Sequence, residues 1–275
     1  MGFKMKYPIE TNYLPLVEVG RRPGIPLGKV RFIVAHDTGN DGSTAPGNIG
    51  YYADTPHIEA SAHTFVDHEH IIECIPAATG TPEKAWHVIY NVTADNEVYG
   101  DDANDVAIGV ELCYFYQKPS SLSPEERKRR SLEAYKRYVW YIAYLCYTFN
   151  LDPATDITGH YKLDPKRKTD PINAFSKMGI TWEKFINDVQ WEYNDCTKPG
   201  VVEEEDDETM KLPGSYQVPM LITALETLGK EGIINSAPMW IDKVKSGQMT
   251  NSELAWLSLI VTTKLLVLNK GGTPS

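Results

Sequence analysis

The side chains best suited to chemistry lie in the first 170 residues of the chain. All seven histidines fall there: His36, His57, His63, His68, His70, His87 and His160. His36 ends an apolar run, while His160 and Asp170 belong to a segment rich in proline and charge, GHYKLDPKRKTDP at 159–171. Two imidazoles and a carboxylate can supply three zinc ligands and leave a fourth position for water, as catalytic zinc sites require. The alternative interpretation is a surface loop and a histidine whose hydrogen bonds are satisfied.

Glu111 is a carboxylate in an otherwise apolar run, IGVELCY at 108–114. Alternation along a strand places Glu111 with Gly109 and Cys113 on one face and the aliphatic neighbours on the other. A carboxylate in such a strand is costly unless it is paired or faces a cleft. Two interpretations remain open from the pattern: an ion pair with an arginine, or a general base whose pKa is raised by partial burial.

The elements that must position these side chains alternate between strands and helices. Apolar runs of strand length predict a hairpin joined at His68–Glu69 and two further strands: 28–36, 61–67, 70–76 and 105–115. A capping box at Ser123-Pro124-x-Glu126 opens a long helix that stops near Asn150, and 181–193 predicts a closing amphipathic helix. The pattern predicts an α/β or α+β domain with one mixed sheet covered by helices.

The last quarter of the chain has a different pattern. Six consecutive acidic residues at 203–208, flanked by proline and glycine, predict a solvated linker over 199–213 between a catalytic domain, 1–198, and a small all-α domain, 214–275. Apolar positions at helical spacing mark two helices of that domain, with a third at 234–244 between them: Val218, Leu221, Ile222, Leu225, Leu228, then Leu254, Leu257, Val261, Leu265, Leu268. A Thr250-x-x-Glu253 capping box opens the last helix. The absence of histidine after residue 160 favours binding or packing for this part.

Charge and apolar content exclude several classes of partner. The 275 residues carry 27 Lys and Arg against 37 Asp and Glu, a net charge of −10, which opposes binding to nucleic acid and to anionic membranes. The longest apolar stretch, at 254–261, is far short of the ~20 residues that a membrane span needs. Four scattered cysteines without a Cys-x-x-Cys pair predict reduced thiols. The first sixteen residues lack the apolar core of a secretion signal, which predicts synthesis in the cytoplasm without one.

Five motifs in fixed order carry a specific resemblance. They are AHDTGN at 35–40, SAHTFVD at 61–67, AWH at 85–87, IGVEL at 108–112 and GHYKLDPKRKTDP at 159–171. Together they closely resemble the zinc-dependent N-acetylmuramoyl-L-alanine amidases of the amidase-2 group. That group includes phage endolysins, bacterial autolysins, anhydro-muropeptide amidases and peptidoglycan recognition proteins. The implied fold is a central mixed sheet flanked by helices.

The resemblance assigns roles to individual residues. It implies a zinc ion (Zn²⁺) held by His36, His160 and Asp170, with Glu111 as the base and Lys168 stabilising the oxyanion. Members of the group differ in the third ligand, Cys or Asp, and this chain has Asp. Some members carry a tyrosine before the histidine of the second motif, where this chain has Ala62. The remaining expected site residues line the substrate pocket or orient the ligands: His63, Trp86, His87, Thr38 and Asn40.

The resemblance also implies a function and a place of action. It implies hydrolysis of the amide between N-acetylmuramic acid and L-alanine, most like a phage or prophage endolysin that acts on Gram-positive-type peptidoglycan after release from the host cytoplasm. The helical tail is then expected to bind wall polymer or to self-associate. Two alternatives are a non-catalytic peptidoglycan-binding module, against which the intact ligand set argues, and a cytoplasmic amidase that recycles muropeptides.

Overall fold

The computed structural model describes residues 2–91, 93–198, 209–210 and 216–269, with the side chains of residues 93, 265 and 267–269 left aside. The chain divides into two compact units, Met1–Pro199 and Gly200–Ser275. Most of the predicted linker at 199–213, together with the side chains of Leu265 and Leu268, lies outside the described residues. Within the described part of the chain, every helix is too short or too polar to cross a membrane.

A six-stranded mixed sheet forms the centre of the first unit. Its strands are β1 Glu10–Thr11, β2 Phe32–Asp37, β3 Thr64–Val66, β4 Ile71–Glu73, β5 Ala107–Leu112 and β6 Ile157–Gly159. They are ordered β1-β4-β3-β5-β2-β6, and β3 with β4 is the antiparallel pair. The predicted hairpin is therefore confirmed, and its turn is closed by Asp67, whose Oδ1 accepts from the backbone N–H groups of Glu69 and His70 at 2.8 Å each.

Helices cover the sheet, as the alternating pattern predicts. In the first unit they are α1 Ala45–Asp54, α2 Thr93–Tyr99, α3 Ala103–Val106, α4 Pro124–Phe149, α5 His160–Leu163, α6 Ile172–Lys177 and α7 Trp182–Thr197. The long helix α4 begins where the capping box predicts, because the Ser123 side chain accepts from the backbone N–H of Glu126. It ends at Asn150, which adopts the left-handed conformation with φ of 55° that commonly terminates a helix.

The largest core lies between the sheet and helices α4 and α7. The aliphatic face of β5, including Ile108 and Leu112, packs there with the fully buried rings of Tyr138 and Phe185. The Tyr138 hydroxyl lies 3.0 Å from the carbonyl oxygen of His36 and 3.1 Å from that of Val110, and it donates to both. Helix α4 thus fixes the ends of β2 and β5, which carry His36 and Glu111. The fold class predicted from the sequence is confirmed.

The segment at 159–171 differs from the loop predicted on its proline and charge content. The short strand β6 pairs in parallel with β2 and leads directly into α5, whose first residue is His160. After α5 the backbone turns at Asp164, whose carbonyl oxygen accepts from the backbone N–H of Lys168 at 2.9 Å. His160 is therefore presented by the end of a strand, as His36 is, and not by an irregular loop.

Glu73 offers a test of how this unit is stabilised. Its side chain is completely buried at the end of β4 and accepts from the backbone N–H groups of Ala77, Ala78 and Thr79 and from the Tyr141 hydroxyl at 2.8 Å. Glu73→Ala leaves these donors buried without an acceptor, so we expect the free energy of unfolding to fall by about 4 kcal/mol. Urea unfolding followed by circular dichroism measures it, with exposed Glu97→Ala as the control. A loss comparable to that control would contradict this account.

The second unit is helical over its described residues. Its helices are α8 Gln217–Lys230, α9 Ala237–Ser246 and α10 Asn251–Asn269, as the apolar spacing predicts. They share a core of their own built around Leu225, Trp240 and Leu257. The predicted capping box is reciprocal: the backbone N–H of Glu253 donates to Thr250 Oγ1 at 3.3 Å, and that of Thr250 donates to Glu253 Oε2 at 3.2 Å.

Candidate metal centre and active site

Three parallel strands end at one edge of the sheet and bring the predicted site residues together. His36 lies opposite Glu111 in the β2–β5 register, and Ala35 lies opposite Gly159, the residue before His160. Because the paired residues of neighbouring strands project from the same face, His36 and Glu111 share one side of the sheet. The carboxyl edge of parallel strands is the usual position of a site in folds with a parallel sheet.

The three residues predicted to hold a metal converge. Asp170 Oδ2 lies 2.9 Å from His36 Nδ1 and 3.1 Å from His160 Nδ1, and one ligand atom from each residue lies within 4.8 Å of the others. Burial lowers the pKa of His36 to about 4, although its hydrogen bond to Asp170 opposes this. Burial works against ionisation of Asp170, but hydrogen bonds with His160 and His36 outweigh it and hold the pKa of Asp170 below its usual range. Neutral imidazole and ionised carboxylate are the forms that bind a metal.

Unsatisfied polar atoms surround this cluster and test its fit to a cation. Among the described residues, His160 Nε2, His87 Nε2 and Glu111 Oε2 are buried without a hydrogen-bond partner. A folded protein rarely leaves such atoms unpaired unless a ligand, an ion or water completes them. Two imidazoles and one carboxylate are a ligand set that suits zinc. The residues present therefore fit the metal that the motifs imply.

His87 contacts His36, the first of the three predicted metal ligands. Its Nδ1 lies 3.1 Å from Nε2 of His36, on the opposite side of that ring from Asp170. Asn104 fixes the backbone here, because its Oδ1 accepts from the N–H groups of His87 and Val88 at 3.0 and 3.1 Å. Gly109 provides the space: a Cβ at this position would lie 2.6 Å from Cγ of His87. The sequence analysis did not identify Asn104 or the role of Gly109, since only the packing of β5 against His87 reveals them.

His63 lies behind the site and does not line the cavity. Its Nδ1 accepts from the backbone N–H of Gly109 at 3.0 Å, and its Nε2 donates to the carbonyl oxygen of Glu83 at 2.9 Å. Both ring nitrogens are thus occupied, and burial lowers the pKa of His63 to about 4. The neutral His63 ring therefore connects β5 to the segment before Trp86 through these two hydrogen bonds. The expectation that it contacts substrate is not supported by this placement.

A cavity of about 410 Å³ opens beside the three predicted metal ligands. Of the predicted site residues, those that line it are His36, Thr38, Trp86, His87, Glu111, His160, Lys168 and Asp170. Asn40 lies outside the lining, and its neighbour Gly39 takes that place. Other lining residues carry no motif that the sequence analysis recognised: Tyr52, Glu59, Arg167 and Asn173. Tyr52 comes from α1, a helix that the sequence analysis did not predict.

Glu111 is a partly buried carboxylate that forms no ion pair with an arginine among the described residues. Among the described residues no salt bridge includes Glu111, so the ion-pair interpretation loses its support. Burial, followed by repulsion from Asp170 and Asp37, raises the pKa of Glu111 well above its ordinary value, and the charge of Lys168 opposes this. A carboxyl group with a raised pKa in a polar cavity has the properties of a general base or acid.

Three further contacts hold Trp86 and Tyr52, two residues that line the cavity. The Trp86 indole N–H donates to the carbonyl oxygen of Gly20 at 2.8 Å, and the guanidinium carbon of buried Arg21 lies 3.9 Å from the centre of the Tyr52 ring. The Arg21 Nε donates to the carbonyl oxygen of Thr55 at 2.9 Å, at the end of α1. The segment at 20–21 therefore anchors Trp86 and Tyr52 together.

Comparison with known proteins agrees with the fold and the motifs. Residues 26–173, more than half of the chain, match the Amidase_2 family, described as N-acetylmuramoyl-L-alanine amidase. The chain belongs to this family.

Two Bacillus proteins are similar in sequence. The chain is 32% identical over 184 residues to the N-acetylmuramoyl-L-alanine amidase BlyA of Bacillus subtilis (strain 168). The aligned region covers 64% of this chain and 46% of that protein. It is 31% identical over 170 residues to a probable N-acetylmuramoyl-L-alanine amidase of Bacillus licheniformis, covering 57% and 43%. The chain thus spans less than half the length of these two curated relatives.

A solved structure shares the fold. The crystal structure of the Staphylococcus aureus hydrolase AmiA in complex with its ligand superposes with a TM-score of 0.52 at 22% identity, covering 69% of this chain and 85% of that chain. At this identity the likeness establishes the fold of the first unit and leaves the chemistry to be argued from its own residues.

Proposed function

We propose that this chain is a zinc-dependent peptidoglycan amidase that hydrolyses the bond between the lactyl carbonyl of N-acetylmuramic acid and the amine of L-alanine. The observation that carries the proposal is the position of Glu111, a carboxylate with one unpartnered oxygen that lines the same cavity as the converging His36, His160 and Asp170. Membership of the Amidase_2 family supports the choice of bond.

His36, His160 and Asp170 are the residues that hold zinc in this proposal. Zinc supplies Lewis-acid chemistry, lowering the pKa of water and polarising a carbonyl group. His87 supports the set by fixing the orientation of the His36 ring through the 3.1 Å contact with Nε2. Such partners of ligating histidines determine which ring nitrogen is free to bind the metal.

Glu111 and Lys168 act on the substrate. Glu111 accepts a proton from the attacking water and delivers it to the amine of L-alanine as the C–N bond breaks. Lys168 lines the same cavity, and its positive charge stabilises the negative charge that develops on the carbonyl oxygen. The cavity of about 410 Å³ is in the range of small-molecule sites and takes the sugar acid and the first residue of the peptide.

The biological role that we propose is lysis of a bacterial host by a phage or prophage endolysin acting on Gram-positive-type cell walls. The five motifs resemble those of the group that includes phage endolysins, and membership of the Amidase_2 family supports peptidoglycan as the substrate. Loss of turbidity of purified walls, compared with cleavage of small soluble muropeptides, separates this role from muropeptide recycling. An enzyme that cleaves fragments and leaves walls intact would contradict the endolysin role.

Metal removal tests the proposed chemistry. Dialysis against a chelator is expected to abolish release of new L-alanine amino termini from walls, and about one equivalent of zinc per chain is expected to restore it. Mass spectrometry of the products identifies the cleaved bond, because amidase action leaves intact glycan strands and free peptides. Full activity of a chain shown by elemental analysis to be free of metal would overturn the zinc assignment.

Removal of the helical tail tests whether the first unit carries catalysis and the second unit carries wall binding. Because each unit has its own core, a chain that ends at residue 200 is expected to remain folded, bind zinc and cleave soluble substrate. We expect its sedimentation with walls to weaken, since the tail exposes apolar side chains, including Trp256 and Leu259, suited to binding. An insoluble truncated chain would show that the predicted boundary at 198–214 is wrong.

A further inference from the structure

A second cavity lies next to the metal-side cavity in the first unit. Its volume is about 360 Å³, and it is enclosed by the residues that follow β5, the beginning of α4 and the end of α6. Asn173 connects the walls of the two cavities: it lines the first, and its Nδ2 lies 3.3 Å from the hydroxyl oxygen of Tyr114, which lines the second. The same amide nitrogen donates to Asp37 Oδ1 at 3.2 Å. One side chain therefore lines the first cavity and contacts a wall residue of the second.

The charged residues that line this cavity are two lysines, Lys128 and Lys177, and the lining contains no carboxylate. Lys177 is half-buried, and its ammonium group donates to Asn173 Oδ1 at 2.8 Å and to the Tyr114 hydroxyl at 3.2 Å, both neutral acceptors. It also lies 4.5 Å from the centre of the Tyr114 ring. Two neutral dipoles and an aromatic face therefore stabilise the positive charge of Lys177, which has no acidic partner among the described residues.

Four basic residues of α4 pair with a glutamate of the same helix. Arg129 and Arg130 both pair with Glu126, and two turns further on Lys136 and Arg137 pair with Glu133. For Lys128, the described residues offer no acidic partner. In a chain with a net charge of −10, two cations left without counter-ions at one cavity favour an anionic ligand.

The remaining walls are apolar and aromatic. Tyr114, Phe115 and Tyr116 form one side, and Leu132 and Met178 contribute to the other. Tyr116 is 49% exposed and Leu132 is 36% exposed, so both offer apolar surface to a bound molecule. A ligand that fits must combine a negative charge with aliphatic carbon, which describes an acidic amino-acid side chain better than a bare phosphate.

We propose that this cavity binds a carboxylate of an acidic peptide. Resting on the proposed function, that peptide is the stem peptide of the strand being cleaved, bound beyond its first alanine. The amide-bearing end then occupies the metal-side cavity, and Asn173 lies between the reacting bond and the bound carboxylate. The lysines recognise the charge, and the aromatic walls cover the methylene groups next to it.

Binding of defined peptides to the full chain tests this proposal. The probes are the dipeptide L-Ala-γ-D-Glu and its neutral counterpart in which the free carboxyl groups are amides, measured by calorimetry and by amide chemical-shift changes. We expect the acidic dipeptide to bind more tightly and Lys128→Gln or Lys177→Gln to weaken it about tenfold each. The matched control Lys136→Gln, on α4 outside the cavity, is expected to leave its affinity unchanged. If wild type and both cavity variants bind the acidic dipeptide with equal affinity, the proposal is overturned. It is also overturned if glycerol phosphate binds more tightly than the dipeptide and its binding depends on the two lysines.

Kinetics separate this proposal from the proposed function. With N-acetylmuramoyl-L-Ala-γ-D-Glu as substrate, Lys128→Gln is expected to raise KM about tenfold with kcat unchanged, while cleavage of N-acetylmuramoyl-L-alanine amide stays as in wild type. Lysine-dependent peptide binding by a chain that hydrolyses neither compound would support the cavity and refute the amidase. Hydrolysis of both compounds with no effect of Lys128→Gln or Lys177→Gln would support the amidase and refute the cavity.

Discussion

Glu111→Ala is expected to lower kcat on peptidoglycan about a thousandfold while the zinc content stays that of the wild type. The reason is geometric. Glu111 shares the cavity with the ligand set, yet its Oε2 has no partner among the described residues, and none of the three converging ligand atoms belongs to it. Removal of the carboxylate therefore removes the proton acceptor and leaves the ligands in place. Release of amino termini and elemental analysis of the same preparation measure the two effects.

Glu111→Gln sharpens the test through stability. Burial and the repulsion of Asp170 and Asp37 raise the pKa of Glu111 in the folded state above its unfolded value. An ionised carboxyl with a raised folded-state pKa destabilises the fold as the pH rises above the unfolded value. At pH 7, metal-free Glu111→Gln is therefore expected to unfold at a higher temperature than wild type, and this difference disappears at low pH. Near-wild-type turnover by either variant would remove Glu111 from the role of base, with Glu97→Ala as the control for both measurements.

The sequence predicts the parts of the site that rest on strand periodicity. The alternation in β5 places Glu111 opposite the aliphatic residues of the core, and the structure has Ile108 and Leu112 in that core. His36 is predicted by a different signal, its position at the end of an apolar run, because β2 is buried on both faces and shows no alternation. Where one residue of a strand is polar, the period of two assigns its side from the sequence alone.

The sequence fails where an element is too short to show a period. Strand β6 has three residues and owes its burial to pairing with β2, so the proline and charge that follow it suggest a loop. The two-residue strand β1 gives no signal for the same reason. His63 illustrates a different limit: its residue type and motif suggest a pocket wall, but its place is decided by hydrogen bonds to Gly109 and Glu83, far away in the sequence.

The site thus combines predictable and unpredictable contributions. Motifs supply the chemical groups, and tertiary packing decides which nitrogen or oxygen each group presents. Asn104 and Gly109 have no reactive group, yet the backbone hydrogen bonds of the first and the missing Cβ of the second determine where the His87 ring lies. Effects on metal affinity should therefore be graded by contact with the ligand set, and not by chemical type.

His160→Ala is expected to lower the metal affinity more than the other histidine substitutions, His87→Ala and His57→Ala. It removes one of three ligands, so zinc affinity is expected to fall by more than the roughly hundredfold loss that follows removal of a residue behind a ligand. His87→Ala removes only the partner of His36 Nε2 and is expected to lower the affinity by about ten- to a hundredfold. His57→Ala, an exposed histidine outside the cavity, is the control and is expected to bind zinc as the wild type does.

Competition with a chromophoric chelator measures the three affinities on folded protein, and circular dichroism checks the fold of each variant. Loss of zinc from His160→Ala with retained secondary structure separates a ligand from a residue that only stabilises the fold. Because Asp170 Oδ2 contacts both histidines, His160→Ala also removes one of the two contacts of that oxygen, and His36 alone cannot restore the three-ligand set. If His160→Ala binds zinc with wild-type affinity, or if His87→Ala loses more affinity than His160→Ala, the assignment of His160 as a ligand is contradicted. Either result would mean that the metal does not bind at the end of β6.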